Sequence, residues 1–272
     1  MNSIHSYSQI QEIITIIRSH KKGFITNFYL VEERCDMFIN KKLLFFVKMP
    51  KCALILRRDR DFYHVYYIAT DKMVLAEMLK ILTENYPNNI FISDIVGVKS
   101  IVNDISSTYA LLGFEKYNQL YRMSRTKNLD EPQPLDQKVE FANLEHTGQI
   151  QYLLEKYFDP YCEQLPQIEE IQKWIETKNI IVVVEEENVI GFVIFEINGI
   201  MSYLRYWFTH PNHRGKKLGS ALLKRFFHEC RATKRQLFWV IESNENAIVR
   251  YKHYGFEQEQ LFDQVMIKKI DL

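Results

Sequence analysis

Two stretches of the chain begin alike and read alike in length and character. GFEKYNQLYRM starts at Gly113 and GFEQEQLFDQVM at Gly255, 142 residues apart. That period is the length of one ordinary domain, so the 272 residues read as one fold built twice. Between the copies the chain reads TKNLDEPQPLDQKV, polar, with Pro132 and Pro134 and without apolar periodicity. The expected domains are 1–125 and 139–272, with 126–138 as linker.

Hydrophobic periodicity supports the duplication. In the second half, helices are expected at 144–158 and after Pro166, then three strands at 180–185, 189–196 and 201–209. Asn198-Gly199 marks the hairpin between the last two, because both residues tolerate positive φ. A helix at 215–230, a strand at 236–241, a helix at 245–254 and a strand at 262–269 complete it. The first half gives a similar order: helices at 10–17 and 31–39, strands at 43–48, 53–58 and 62–69, a helix at 72–83, a strand at 90–95, a helix at 98–111 and a strand at 117–123. Each half is therefore α/β in class (an α+β mixed sheet), with helices on both faces of a central sheet.

Charge narrows the partners. With 35 Lys plus Arg against 34 Asp plus Glu the formal charge is +1, so no global field favours nucleic acid or an anionic membrane. Arg231, Lys234 and Arg235 form the one dense basic run, a solvated turn or a contact for a phosphate. Cys35, Cys52, Cys162 and Cys230 are scattered without a C-x-x-C pair, so no metal and no disulfide scaffold is expected. Buried free thiols fit a reducing compartment. No signal segment and no bilayer-length apolar run is visible, and the expected location is cytoplasmic.

THPNHRGKKLGSALL, from Thr209, carries the chemistry. A strand ends, Pro211 breaks it, and a glycine-bearing loop feeds a helix. The first helical turn has four amides without intrahelical partners and the positive end of the dipole. Glycine lets a ligand approach the backbone, and Arg214, Lys216 and Lys217 add positive charge. The combination suits a pyrophosphate; a solvated basic connection is the plain alternative. Further on, NENAIVRYKHYGF places Asn244 at a helix N-cap, with Ala247, Tyr251 and Tyr254 on one face. Tyr254 reads as a core aromatic. Tyr203 and Arg205 alternate with Leu204 and share one strand face. Arg205 is then either a partner for a substrate carboxylate or half of an internal salt bridge.

These two pieces, in this order, resemble the GNAT superfamily of N-acetyltransferases. The family's loop pattern R/Q-x-x-G-x-G/A is matched by Arg214, Gly215, Lys216, Lys217, Leu218 and Gly219, with Lys217 in place of the first patterned glycine. Lysine disfavours positive φ, so the backbone at Lys217 is expected in the right-handed region. The later pattern N-x-x-A-x-x-x-Y-x-x-x-G-F is met by Asn244, Ala247, Tyr251, Gly255 and Phe256.

The resemblance implies two acyl-CoA N-acyltransferase-like domains in tandem and acetyl-CoA as the acetyl donor, with coenzyme A as product. It implies that Trp207, Phe208 and Thr209 pair with the pantetheine arm and that Arg214 to Ser220 hold the pyrophosphate. Asn244 matches a residue that contacts the cofactor or helps order the thioester region for catalysis, and Tyr251 matches the acid that protonates the departing thiolate. Glu242 and Glu196 are the carboxylates considered as general base, with a surface or structural carboxylate as the favoured identity of each. Arg205, Tyr203 and Tyr161 are the candidate acceptor contacts, Tyr161 lying with Asp159 and Glu163 where this fold builds acceptor specificity. The implied acceptor is a primary amine of a small molecule or peptide, and a homodimer stays open. A non-catalytic acyl-CoA sensor or a structural pseudoenzyme is the alternative class.

In the first half the third strand passes from Tyr67-Ile68-Ala69-Thr70 to DKMVLAEMLKIL without Pro, Arg or Gly. Asp104 and Ser107 stand where Asn and Ala would, and no matching tyrosine is expected before Gly113. That half is read as a degenerate copy that holds no acetyl-CoA and packs against the second or completes its pocket.

Overall fold

The computed structural model describes residues 1–126, 136 and 138–270. Apart from Thr126, Asp136 and Lys138, the expected linker lies outside the described residues. In chain order the elements are β1 (Asn2–Ser3), α1 (Tyr7–Ser19), β2 (Ile25–Thr26), α2 (Glu32–Asn40), β3 (Leu44–Met49), β4 (Cys52–Asp59) and β5 (Phe62–Ala69). Then follow α3 (Lys72–Asn85), β6 (Ile90–Gly97), α4 (Lys99–Ala110), β7 (Glu115–Arg125), β8 (Val139–Phe141), α5 (Thr147–Tyr157), α6 (Pro160–Glu163) and α7 (Ile168–Glu176). The chain ends with β9 (Ile180–Glu185), β10 (Asn188–Asn198), β11 (Met201–Thr209), α8 (Leu218–Glu229), β12 (Arg235–Ile241), α9 (Glu245–His253) and β13 (Glu257–Lys268). Every long element expected from periodicity forms. The short β1, β2, β8 and α6 were too brief to leave a periodic signal.

Contacts divide the chain into two compact units, Met1–Leu120 with Gln260–Leu272, and Tyr121–Glu259. Gln260–Leu272, expected in the second domain, thus belongs with the first. The cause is a ladder: β13 pairs antiparallel with β6 from Phe262↔Gly97 to Lys268↔Phe91. In exchange, the end of β7 from Tyr121 belongs with the second unit. There Arg125 Nη1 donates to Tyr254 O at 2.9 Å and its guanidinium lies 4.3 Å from the Phe227 ring centroid. A strand's own pattern tells which face it buries, not which sheet it joins.

In the first unit the strands run β1-β3-β4-β5-β6-β13, with β2 against β5. Asp71 caps α3 by accepting from Met73 N and Val74 N, and the helix buries Leu75, Met78, Leu79 and Leu82 on one face of the sheet. Ile10, Ile13 and Ile17 of α1 and Phe38 of α2 cover the other face. The parallel pair β5 and β6 is matched over three positions, Phe62↔Ile90, Tyr63↔Phe91 and His64↔Ile92.

Beyond those positions the gap is filled by the chain itself. β2 pairs with β5 through Ile25↔Ala69 and Thr26↔Ile68. Asn27 follows, 6% exposed. Its Oδ1 accepts from Tyr67 N at 2.5 Å, and its Nδ2 donates to Val65 O at 3.2 Å and Asp94 O at 2.8 Å. One amide therefore bridges both strands and satisfies backbone groups that a parallel ladder would otherwise have paired.

The first half also keeps a tyrosine, contrary to the expectation. Tyr109 stands four residues before Gly113 as Tyr251 stands four before Gly255. Both helices close identically. Phe114 N donates to Tyr109 O at 3.2 Å and Phe256 N to Tyr251 O at 3.1 Å, with the glycines at φ +78° and +83°. Counting from the glycine puts Val102 and Ile105, not Asp104 and Ser107, opposite Asn244 and Ala247. The Tyr109 hydroxyl is committed to Ser93 Oγ at 2.9 Å, fully buried.

Replacing Asn27 by alanine strands the Tyr67 N–H and removes a donor from the Asp94 carbonyl, while the Val65 carbonyl keeps its bond from Ser93 Oγ. Because each stranded buried group costs about 1–3 kcal/mol, an Asn27→Ala chain is expected to lose about 2–4 kcal/mol in denaturant unfolding of the first unit.

Candidate functional site

In the second unit the strands run β7-β12-β11-β10-β9-β8. Ile150, Leu153 and Leu154 of α5 and Ile171 and Ile175 of α7 cover one face, packing on Tyr206 and Phe208. α8 covers the other, with Phe226 5.6 Å from Phe195 of β10. The β10–β11 turn is Gly199-Ile200, with Asn198 paired to Met201 and only Gly199 at positive φ, +57°. β10 and β11 pair antiparallel with a register shift at Ile194/Phe195 that leaves Arg205 without a partner position, a β-bulge.

β11 and β12 are parallel neighbours over Met201↔Arg235, Ser202↔Gln236 and Tyr203↔Leu237. After these three positions the ladder ends, although β11 continues to Thr209 and β12 to Ile241. Among the described residues no neighbouring strand takes the open edge. Tyr251, on α9, lies over it with ring centroids 4.0 Å from Phe238 of β12 and 5.3 Å from Trp207 of β11. Tyr251 is 9% exposed. Burial, and then the charge of Glu163, push its hydroxyl pKa well above the usual value.

Glu163 lies on the opposite face of β11, where Tyr206 OH donates to its backbone carbonyl. α6 is capped by Asp159, whose Oδ1 accepts from Tyr161 N at 2.9 Å. The Glu163 carboxylate accepts from Asp159 N at 2.9 Å, and its backbone carbonyl accepts from Tyr206 OH at 2.9 Å. Tyr206 and Trp207 are successive residues on one strand and so face opposite sides. Glu163 sits on the Tyr206 side and Tyr251 on the Trp207 side. Burial pushes the Glu163 pKa up to about 7, against the lowering effect of the Asp159 N–H, while the charge of Asp159 adds to the rise.

The glycine-bearing loop opens the third side. Pro211–His213 form a short 3-10 turn after β11, and α8 begins at Leu218, later than the expected 215. Ala221 N donates to Lys217 O at 3.0 Å. Among the described residues no acceptor meets the amides of Gly215 to Ser220. Arg214, Gly215, Lys216 and Lys217 are exposed, and Leu218, Gly219 and Ser220 partly so. Lys217 has φ +62°, against the expected right-handed backbone. The loop imposes a glycine-type conformation next to Gly215 at φ +84°, and the lysine adopts it. Gly219 has a steric reason: a Cβ there would stand 3.1 Å from Thr209 Oγ1 and 3.2 Å from Trp207 Cζ2. Beside it, Trp207 Nε1 is buried without an acceptor.

The remaining sequence candidates are placed as follows. Phe208 points into the aromatic core, 5.2 Å from Phe192 and 4.9 Å from Tyr157. Ser220 Oγ is bonded to Tyr254 OH at 2.6 Å, tying α8 to the end of α9. Asn244 accepts from Ala247 N at 3.3 Å as the N-cap of α9. Glu242 is exposed past the end of β12, and its charge acts on Tyr121 of β7, the neighbour on the side away from β11. Tyr203 and Arg205 share a face, the guanidinium 5.6 Å from the Tyr203 ring. Arg205 is ion-paired to Glu196, whose other oxygen accepts from Trp174 Nε1 at 3.0 Å. Tyr161 is half-buried at the start of α6. The structure thus brings Trp207, Thr209, Gly219 and Tyr251 together, and adds Glu163, for which the sequence offered no more than a place in the acceptor segment.

The left-handed lysine is a point of strain, since that region costs a non-glycine residue about 1–2 kcal/mol. A Lys217→Gly chain is expected to gain about 0.5–1 kcal/mol after the entropy glycine loses on folding, and Lys217→Val to lose about 1 kcal/mol or more, both read as shifts in the urea midpoint.

The acetyltransferase (GNAT) family model matches residues 148–256. Among solved structures, a GCN5-related N-acetyltransferase from Sphaerobacter thermophilus is similar with a TM-score of 0.59 at 14% identity, over 82% of this chain and 81% of that one. A tandem GNAT protein from the clavulanic acid biosynthesis pathway is similar over 100% of this chain and 98% of its own, with a TM-score of 0.58 at 11% identity. A GNAT-family acetyltransferase from Colwellia psychrerythraea covers 98% of each, with a TM-score of 0.55 at 13% identity. No curated protein matches the chain. The domain spanning residues 148–256 therefore belongs to the acetyltransferase (GNAT) family, on a chain with the fold of tandem GNAT proteins.

Proposed function

We propose that the second unit is an N-acetyltransferase that moves the acetyl group of acetyl-CoA to a primary amine of a small molecule or peptide, by direct attack in a ternary complex. The observation that carries this reading is the Tyr251 ring lying across the edges of β11 and β12 where their ladder has ended. The residues present fit the donor. The unpaired edge of β11 offers backbone groups to the amides of a pantetheine arm, as a missing strand would. The first-turn amides of α8, with Arg214, Lys216 and Lys217, offer donors and charge to a diphosphate. The unsatisfied Trp207 N–H beside Gly219 offers a further donor in the gap.

Acetyl-CoA, when bound, supplies a thioester carbonyl carbon activated toward amines. Tyr251 then acts as acid: its raised pKa keeps the hydroxyl protonated across the neutral range, ready to protonate a departing thiolate. Trp207 and Phe238 fix the ring, so the proton is held at one position. Gly219 keeps α8 close to Thr209, which brings the loop to the mouth of the gap. The non-catalytic alternative rests on Lys217 and on the lack of a general base named from the sequence. The left-handed backbone of Lys217 keeps the glycine-type loop shape, so that substitution gives no geometric ground for preferring a sensor.

The first unit, with Asn27 bonded across its gap and Tyr109 tied to Ser93, is read as holding no acyl-CoA. Calorimetry of the full chain with acetyl-CoA is expected to give one site per chain; two equal sites would refute the asymmetry. With thiol release as readout and a panel of amines as acceptors, Tyr251→Phe is expected to lower turnover about 10²- to 10⁴-fold while leaving acetyl-CoA affinity within about twofold, since the ring contacts remain. Full turnover by that variant would remove Tyr251 from the mechanism.

A further inference from the structure

We propose that Glu163 is the general base of this site, taking the proton that an alkylammonium acceptor must lose before it attacks. The inference rests on the acetyltransferase reading and names the group that completes it. Glu163 belongs to α6, on the face of the sheet bearing Tyr206, while Tyr251 belongs to α9, on the face bearing Trp207. An intact sheet between them would hold backbone and side chains. Here β11 and β12 have parted beyond Tyr203, and the charge of Glu163 acts on the Tyr251 hydroxyl. A base and an acid on opposite sides of one gap is the arrangement that the reaction needs: amine from one face, thiolate proton from the other.

The other carboxylates considered are otherwise disposed. Glu196 is held by Arg205 and Trp174. The charge of Glu242 acts on Tyr121, across β12 from β11. Glu163 is held on one side only by a hydrogen bond from Asp159 N. The ionisable groups facing it are Asp159, at the start of its own helix, and Tyr251 from α9; Tyr206 of β11 touches its backbone. No cation faces it in this set, so its carboxylate is not pinned in the ionised form. A pKa of about 7 suits a base that must take a proton and release it at neutral pH.

The step balances as follows. R–NH₃⁺ gives one proton to the Glu163 carboxylate, which later passes it to water. The amine lone pair forms the C–N bond and the C–S bonding pair leaves on sulfur. Tyr251 protonates that sulfur and is restored by the second proton shed from nitrogen. One proton reaches solvent for each amide formed.

The test is Glu163→Gln, which keeps an oxygen to accept from Asp159 N. For alkylamines, the variant is expected to lose about 10²- to 10³-fold in kcat/KM at pH 7, and the wild-type fall below about pH 7 is expected to move to the amine's own pKa. Methoxyamine, neutral at pH 7, arrives without the proton that Glu163 would take, so its rate is expected to change less than about threefold. Equal losses for both acceptors, or no loss for alkylamines, overturn the assignment.

A second readout needs no turnover. The folded protein holds the Glu163 proton up to about pH 7, whereas the ordinary value is 4.5. The stability linked to that proton is complete below about 4.5 and is lost as pH rises through about 7. The variant's melting temperature is therefore expected to match wild type at pH 4.5 and exceed it at pH 8. Equal melting temperatures at pH 8 would overturn the raised affinity on which the base role depends. A wild-type chain that binds acetyl-CoA yet acetylates no amine in the panel overturns the acetyltransferase reading and the base together. Active wild type with an indifferent variant overturns the base alone.

Discussion

The second unit depends on three pairs of residues and on their being only three. Met201, Ser202 and Tyr203 align β11 with β12, and from Leu204 onward the strands part. A parallel ladder carried to Thr209 would pair every backbone group and leave a closed sheet. Parting leaves an edge inside the sheet, a position where unpaired amides and carbonyls are normally avoided. The bulge at Arg205 increases local twist and helps turn β11 away. The gap, once formed, decides what each neighbour can be. Tyr251 lies over it, Gly219 leaves little room for a Cβ beside it, and the charge of Glu163 acts on Tyr251.

The first unit shows the same backbone solution resolved in another way. β5 and β6 also align over three pairs, and the helix after them ends in the same glycine turn with a tyrosine four residues before it. There the exposed edge is taken by β2 and Asn27, which satisfy β5 and β6 with protein groups. Both halves obey the same requirement that buried backbone groups find partners. One half meets it internally, and in the proposed reading the other leaves it to be met by a ligand. The two units differ here in the short segment 25–27, in the loop after the third strand and in the Tyr109–Ser93 bond, rather than by a change of fold.

What the sequence made legible follows from the range of the interactions involved. The strand-loop-helix around Gly215 and Gly219 and the Asn244-to-Phe256 helix are local, and their spacing encoded them. The long helices and strands were visible because periodicity is local too. The short β2 left no periodic trace, and its function comes from Tyr67, Val65 and Asp94, about 40 and 67 positions away. Exchange of β13 into the first unit was invisible for the same reason: alternation is indifferent to the partner strand. Tyr109 was within reach, since the Gly-Phe turn that revealed the repeat also fixes the register of the helix before it. Glu163 was not. Nothing in DPYCEQLP distinguishes it from Glu155 or Glu176; its character comes from the way Asp159 and Tyr206 hold α6 over the open sheet.

Several groups at the gap are held in states that an isolated chain would not choose. Lys217 sits in the left-handed region, Glu163 binds a proton too tightly, and Trp207 Nε1 lacks an acceptor. Each is a local penalty that the surrounding packing tolerates, and such penalties gather where a molecule is to be bound or altered. They differ in what relieves them. An acceptor oxygen arriving in the gap satisfies the indole N–H, and a cationic amine arriving beside Glu163 favours its ionised form, lowering its pKa toward the ordinary range. The amine therefore promotes ionisation of the group proposed to deprotonate it, and the transfer of its proton restores the neutral carboxyl that burial prefers. The Lys217 strain is relieved by neither. Its physical counterpart is the position of the first-turn amides of α8, which that backbone conformation sets.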